Sequence, residues 1–204
     1  EFFLVLAGKT ISFEPFTLNS GERRTFCAVE SFENVSEWFE NNPVLYTVTG
    51  ILSEDGRAVD DLIDRFGFRE VRVDGKDILM NGKKLRIKGL CRHEDHPQFC
   101  AALPYAAITA DFAAIKDLGA NSVRTAHYPN DEIFLDLCDE LGLLVWEENH
   151  ARGLSEEAMR NPNFEAQAEK VIREMIPAHY NHPSIYIWGI LNECASDSAY
   201  GREC

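Results

Sequence analysis

The sequence predicts a multidomain protein of class β plus α/β. An antiparallel β module is expected over residues 1–70, followed by a parallel strand–helix array over residues 71–204. Three observations predict this. Short apolar runs separated by turn signals fill the first stretch. Beyond it, strand-like runs alternate with helix-length amphipathic stretches. Each of the last four strand-like runs then ends in a cluster of His, Arg, Asp, Glu or Asn.

In the first stretch the runs are Phe3 to Leu6, Ile11 to Phe16, Arg24 to Val29, Leu45 to Leu52 and Ala58 to Ile63. Between them lie Ala7-Gly8-Lys9, Asn19-Ser20-Gly21, Asn41-Asn42-Pro43 and Glu54-Asp55-Gly56. That spacing predicts hairpins in an antiparallel sandwich. The character changes near Arg65 to Arg69. Val71 to Val73, Ile78 to Met80 and the Asn81-Gly82 turn predict a further hairpin, since Asn-Gly is a strong short hairpin signal.

The array begins with a strand at Leu85 to Leu90. A helix follows near Thr109 to Leu118, with Thr109 as N-cap, Ile108, Phe112 and Ile115 on one face, and Gly119 as stop. Asn121 to Thr125 is the second strand. A helix over Asp131 to Leu141 carries Ile133, Phe134, Leu137, Cys138 and Leu141 on one stripe, with Gly142 after it. Leu143 to Trp146 is the third strand. The next helix, Asn163 to Ile176, has Phe164, Ala168, Val171, Ile172 and Met175 on its core face, and Pro177 ends or kinks it. The fourth strand, Ile185 to Leu191, follows the His182-Pro183-Ser184 turn and reads as buried on both faces. Such an alternation implies a parallel sheet, either doubly wound or half of a (β/α)8 barrel. No Gly-x-Gly-x-x-Gly or Walker sequence follows any strand, which weakens nucleotide binding.

The net charge of −14 argues against a nucleic-acid partner, which needs clustered Lys and Arg. No apolar run approaches the roughly 20 residues of a bilayer span, so no membrane partner is expected. Glu1 to Ala7 is a poor signal peptide. The chain starts without Met, in what reads as mid-strand, and reads as a fragment truncated at both ends. Cys27, Cys91, Cys100, Cys138, Cys194 and Cys204 form no Cys-x-x-Cys pair. They read as reduced, mostly buried thiols of a cytoplasmic protein.

The strand ends carry the chemistry. Cys91-Arg92-His93-Glu94-Asp95-His96-Pro97 follows the first, Arg124-Thr125-Ala126-His127-Tyr128-Pro129 closes the second, Glu147-Glu148-Asn149-His150 the third, and Asn192-Glu193 the fourth. If the strands are parallel, these groups share one rim, where barrel enzymes place their active sites. Glu193 stands beside apolar strand residues that would favour its protonated, acid form. Asn192 can hydrogen-bond a hydroxyl, and Tyr128, Trp146 and Trp188 offer flat faces to a sugar, although each also suits a core. Together these suggest glycoside hydrolysis. The rival is a metal-dependent hydrolase using Cys91, His93, Glu94 and His96, with His127 and His150 available. Its spacing lacks the paired ligands of common zinc sites.

Phe66-Gly67-Phe68-Arg69, Asn81-Gly82-Lys83, Gly89 to Pro97, Asn121 to Pro129, Cys138 to Gly142, and Asn181 to Ile185 leading to Asn192-Glu193 together resemble glycoside hydrolase family 2, from about Pro43 to the end. That family holds β-galactosidases, β-glucuronidases and β-mannosidases. The resemblance implies an immunoglobulin-like β-sandwich over 1–70, the N-terminal half of a TIM barrel over 71–204, and a retaining exo-β-glycosidase acting on a carbohydrate substrate. It implies that Glu193 is the acid/base, that Asn192 contacts the sugar 2-hydroxyl, that Arg124 supports the nucleophilic carboxylate, and that His93 and His127 lie on the rim near the sugar. Asp95 and Glu148 complete the expected substrate-binding set. No cofactor is expected, and the full-length protein is expected to be a homo-oligomer. A non-catalytic carbohydrate-binding relative is the other reading. Three departures stand out. The family's nucleophilic glutamate lies on a later strand, beyond Cys204, so the 204-residue piece alone is expected to lack turnover. Arg152 falls where metal-using β-galactosidases carry a magnesium-binding glutamate, so no metal is expected. Cys100 falls where the family usually has glycine. His93-Glu94-Asp95-His96-Pro97 sits between the galactosidase and glucuronidase versions and leaves the sugar open.

Overall fold

The structure is a computed structural model and describes residues 1–195; Cys204 lies outside them. Its N-terminal part is an antiparallel sheet of β1 (Phe2–Leu6), β2 (Lys9–Ser12), β3 (Tyr46–Glu54) and β4 (Arg57–Phe66), in the order β2-β1-β3-β4. The β1–β2 and β3–β4 turns put Ala7-Gly8 and Asp55-Gly56 at positive φ. That backbone twist matches the twist of hairpin strands, and glycine adopts it without a Cβ penalty.

Two expected strands are corrected. Ile11 to Phe16 is strand only as far as Ser12, and Arg24 to Val29 forms none. Phe13, Phe16 and Phe26 instead pack their rings on one another and on Phe2 of β1, with centroids 4.7–5.9 Å apart. The β-like composition of these runs serves side-chain packing on the sheet rather than a hydrogen-bonded ladder. Among the described residues one sheet therefore stands where two facing sheets were expected.

A three-stranded antiparallel sheet follows: β5 (Val71–Asp74), β6 (Asp77–Met80) and β7 (Lys83–Lys84). Asn81-Gly82, both at positive φ, turns β6 into β7. The array then runs β8 (Gly89–Arg92), α1 (Tyr105–Asp117), β9 (Ser122–Thr125), α2 (Glu132–Leu141), β10 (Leu144–Glu148), α3 (Glu156–Met159), α4 (Pro162–His179) and β11 (Ile185–Gly189). The four strands pair in parallel in the order β8-β9-β10-β11. A doubly wound sheet reverses its strand order at a switch point; a barrel adds each strand beside the last. The unbroken order is that of a barrel segment.

Ile108, Phe112 and Ile115 of α1 and Phe134, Leu135, Leu137 and Cys138 of α2 pack with Val123, Val145 and Ile185 of the strands, which puts these helices on one face of the sheet. At its foot, Trp38, Met80, Leu85 and Leu144 form a second cluster with Tyr186. Leu85 is thus spent on that plug, and the first parallel strand starts at Gly89 rather than Leu85.

The helices depart from expectation in detail. Pro104, not Thr109, is the N-cap of α1; Thr109 lies inside, its hydroxyl donating to the Ala106 carbonyl at 3.0 Å. Asp131 caps α2 by accepting from the Ile133 N–H at 2.8 Å. Ile133 and Leu141 are exposed, whereas Leu135 is buried. Gly142 ends α2 at φ 69°, and a Cβ there would meet the Glu40 carbonyl oxygen at 2.0 Å. Helix α4 continues past Pro177 to His179, so the proline does not end it. The short α3 was not foreseen. Strand β11 is buried only at Ile185 and Gly189, since it is the edge of the described sheet.

Residues 36–70 are bolted to the foot of the array. Trp38, fully buried, donates from Nε1 to the Asp139 carbonyl at 2.9 Å. Arg69 donates to the carbonyls of Pro183 at 2.9 Å and Ile185 at 3.0 Å. Arg65 pairs with Asp136 and Glu140.

Candidate active site

Glu148 ends β10 with its side chain buried, and both carboxylate oxygens have partners. Arg124 of β9 donates from Nε to Oε1 at 2.5 Å, and His127 Nδ1 lies 2.9 Å from Oε2. Partners of this kind offset the cost of taking a carboxylate out of water. Arg124 also donates from Nη2 to the Asn192 Oδ1 at 2.7 Å and lies 4.9 Å from the centroid of the Trp146 ring. Burial works against the Arg124 charge, but the hydrogen bond and charge of Glu148, with a smaller contribution from Cys91, outweigh it and raise its pKa. The Cys91 and Arg124 backbones are partners in the β8–β9 register.

Gly189 makes this packing possible. A Cβ there would meet Trp146 Nε1 at 2.5 Å and Glu148 Cγ at 2.6 Å. Asn192 is held by its own backbone. Its N–H donates to the Ala151 carbonyl and its carbonyl accepts from the Gly153 N–H, both at 2.8 Å. The next residue, Glu193, has a left-handed φ of 52° and an exposed side chain. The expectation that apolar strand residues surround Glu193 is therefore corrected: the strand stops at Gly189, and the turn carries Glu193 out onto the rim.

His93 is exposed, its ring edge-on to His127 with centroids 5.2 Å apart. The Tyr128 hydroxyl accepts from the Glu94 N–H at 3.0 Å. Arg152 lies over the Tyr128 ring and donates to the His127 carbonyl at 3.3 Å. The structure thus gathers Arg124, His127, Glu148 and Asn192 into one network, with His93 against it and Glu193 next along the chain. Asp95 is exposed and is not drawn into that network. Trp188 packs against the helix-side core.

Sequence reasoning missed Gly189 and Trp146 as a packed pair; it placed Glu148 in the substrate-binding set but gave Glu147 no partner. Adjacent strand residues point to opposite faces, and here Glu147 faces α4, fully buried and 2.7 Å from His179 Nδ1. That alternation was the available signal.

The rival metal site is also corrected. Among the described residues, the segment from Cys91 to His96 does not bring three donors together. Asp136, Asp139 and His182 do approach one another, at the opposite end of the strands. There Asp139 bonds His182 Nδ1 at 2.6 Å and the Ser184 N–H at 3.0 Å, and Asp136 pairs with Arg65 at 2.8 Å. Protein partners already take up these groups. The thiols differ from expectation as well: Cys27, Cys91 and Cys100 are exposed, Cys194 is partly buried, and Cys138 is buried. Cys100 sits at φ 50°, a left-handed backbone, which accounts for the glycine expected there. No helix among the described residues is long and apolar enough to cross a membrane.

Residues 71–203 match the model of glycosyl hydrolases family 2, TIM barrel domain. The whole chain superposes on a GH2 β-galacturonidase from Eisenbergiella tayi bound to galacturonate, with 60% identity and a TM-score of 0.93, covering 36% of that chain. A β-glucuronidase from Bifidobacterium dentium, complexed with coumarin-3-O-glucuronide, matches 84% of this chain at 33% identity and a TM-score of 0.79, over 28% of its own. A β-galactosidase from Thermoanaerobacterium thermosulfurigenes is 36% identical over 174 residues, 84% of this chain. This chain spans only 24% of that relative's length.

Proposed function

The chain belongs to glycoside hydrolase family 2, and from that premise we propose that the protein it comes from is a retaining exo-β-glycosidase that removes terminal β-linked uronic acids, galacturonate first among them. In this reading residues 1–70 contribute to an immunoglobulin-like sandwich and residues 71–204 are the first half of a (β/α)8 barrel. Glu193 donates a proton to the departing glycosidic oxygen and then, as carboxylate, takes a proton from the attacking water. Its exposure on the rim leaves it within reach of a substrate. Asn192, held at its Oδ1 by Arg124, turns its amide N–H groups toward the sugar 2-hydroxyl. Arg124, His127 and Glu148 form the floor that fixes Asn192, and His93 contacts the sugar from the β8 side. The nucleophilic carboxylate comes from outside these residues, since both Glu148 oxygens are engaged.

The observation that carries the choice of sugar is the likeness over the whole chain, at 60% identity, to the β-galacturonidase bound to galacturonate. The test is a panel of 4-nitrophenyl β-D-galacturonide, β-D-glucuronide and β-D-galactoside on the full-length protein. The galacturonide is expected to give the highest kcat/KM, by roughly tenfold or more over the galactoside. A preference for the galactoside would overturn the assignment to uronic acids.

A further inference from the structure

The loop that leaves β8 carries an aromatic pair that the chemistry above does not use. The His96 and Phe99 rings stack with centroids 4.8 Å apart and planes 28° from parallel. Two backbone bonds close a miniature hairpin around them: the His96 N–H to the Cys100 carbonyl at 3.1 Å, and the Cys100 N–H to the His96 carbonyl at 2.8 Å. The Gln98 N–H donates to His96 Nδ1 at 3.1 Å, which fixes the ring and leaves Nε2 to carry the proton. Phe99 is nevertheless 41% exposed. An apolar ring held rigidly toward water, beside a rim of sugar-binding type, is the arrangement that stacks on another ring.

The backbone singles out the same hairpin. Cys100 closes it at φ 50°, a left-handed conformation that a non-glycine residue keeps only where its surroundings hold it. The hairpin is also tied to the site: three residues before His96, His93 packs on His127, and the Glu94 N–H is held by the Tyr128 hydroxyl. The inner network of Arg124, His127, Glu148 and Asn192 surrounds the proposed position of the cleaved sugar, and this pair lies outside that network, three residues along the loop from His93.

We propose that the His96–Phe99 stack is a platform for the ring of the leaving group, aromatic or pyranose, with His96 Nε2 as a hydrogen-bond donor at its edge. The inference rests on the glycosidase reading and names a subsite within it.

The test compares full-length wild type, Phe99→Ala, Phe99→Tyr and His96→Ala on three β-galacturonides: methyl, 4-methylumbelliferyl and a disaccharide with a second sugar as leaving group. Phe99→Ala is expected to raise KM for the 4-methylumbelliferyl substrate by about two- to tenfold, the worth of one aromatic stack. It should leave the methyl glycoside unchanged, which also shows that the variant is folded. Phe99→Tyr retains the ring and should retain wild-type KM. His96→Ala should follow Phe99→Ala. A matching rise with the disaccharide marks a platform for any ring; a rise with the aryl substrate alone marks an aromatic aglycone. Equal losses on methyl and aryl substrates, or none on either, would overturn the platform while the glycosidase reading stands. Absence of wild-type turnover on all three would remove both.

Discussion

Two carboxylates on the rim have opposite surroundings. Glu148 is buried with both oxygens engaged, so its work is to hold Arg124 and His127. Glu193 is exposed after a left-handed turn. If Glu193 is the acid/base proposed above, Glu193→Gln in the full-length protein keeps the shape and removes proton transfer. On substrates with poor leaving groups kcat/KM is expected to fall by about 10²–10⁴, whereas an activated aryl glycoside should retain its first step and accumulate glycosyl-enzyme. Azide should then restore turnover as a β-glycosyl azide; equal impairment on both substrate types with no azide effect would move the acid/base role elsewhere. The thiols give a second expectation. Burial pushes the Cys138 thiol well above its usual pKa, and thiolate is the reacting form. Iodoacetamide followed by peptide mapping should label Cys27, Cys91 and Cys100 in the native protein and Cys138 only after denaturation. Cysteine is on average among the most buried residue types, which is why the sequence alone suggests buried thiols; the exposure of Cys91 and Cys100 depends on where the fold places them, and residue type carries no sign of it.

At the scale of elements, local chemistry was legible wherever the backbone itself demanded a residue type. Asp131 and Gly142 bound α2 as read, and the Asn81-Gly82 and Asp55-Gly56 turns lie where they were expected. Reading failed where a distant partner decides. Thr109 has the side chain of a cap but lies one turn inside α1, and the run at Arg24 to Val29 packs its Phe26 on a sheet rather than joining one. Gly189 is the sharpest case. Its φ is ordinary, and its necessity comes from Trp146 and Glu148 on the adjacent strand. In the full-length enzyme Gly189→Ala is expected to displace both side chains and lower kcat by about tenfold or more, as a misplacement near 1 Å does. Activity measured beside a thermal melt checks this: a large loss of kcat with little change in Tm is the expected pattern, and unimpaired kcat would show that the strand yields without cost.

For the molecule as a whole, the parallel order of β8 to β11 was foreshadowed by alternation in the sequence, but the clamp at its foot was not, because its partners are 43 to 116 residues apart. That clamp also sets a dependence on pH. Burial of His182 opposes its charge, but the hydrogen bond and charge of Asp139, with Asp136 and Glu147 nearby, outweigh it, so its folded pKa is raised. A raised folded pKa means the native state holds the proton more tightly, so this stabilisation is fully present below the unfolded value of about 6.5 and is lost as pH rises through the folded value. The gap in urea midpoint between wild type and His182→Asn should therefore be widest in mild acid and narrow toward alkaline pH; a gap constant with pH would deny the charge its part. The same foot has a consequence for how such proteins exchange parts over evolution. Trp38, Arg65 and Arg69 belong by chain position to the β module, yet they bond to Asp139, Asp136 and the carbonyls of Pro183 and Ile185. A recombination event that swapped the module at residue 71 would leave those groups bare. A breakpoint before residue 36 would in turn part β1 from its ladder partner β3, so the whole sheet is inherited with the barrel.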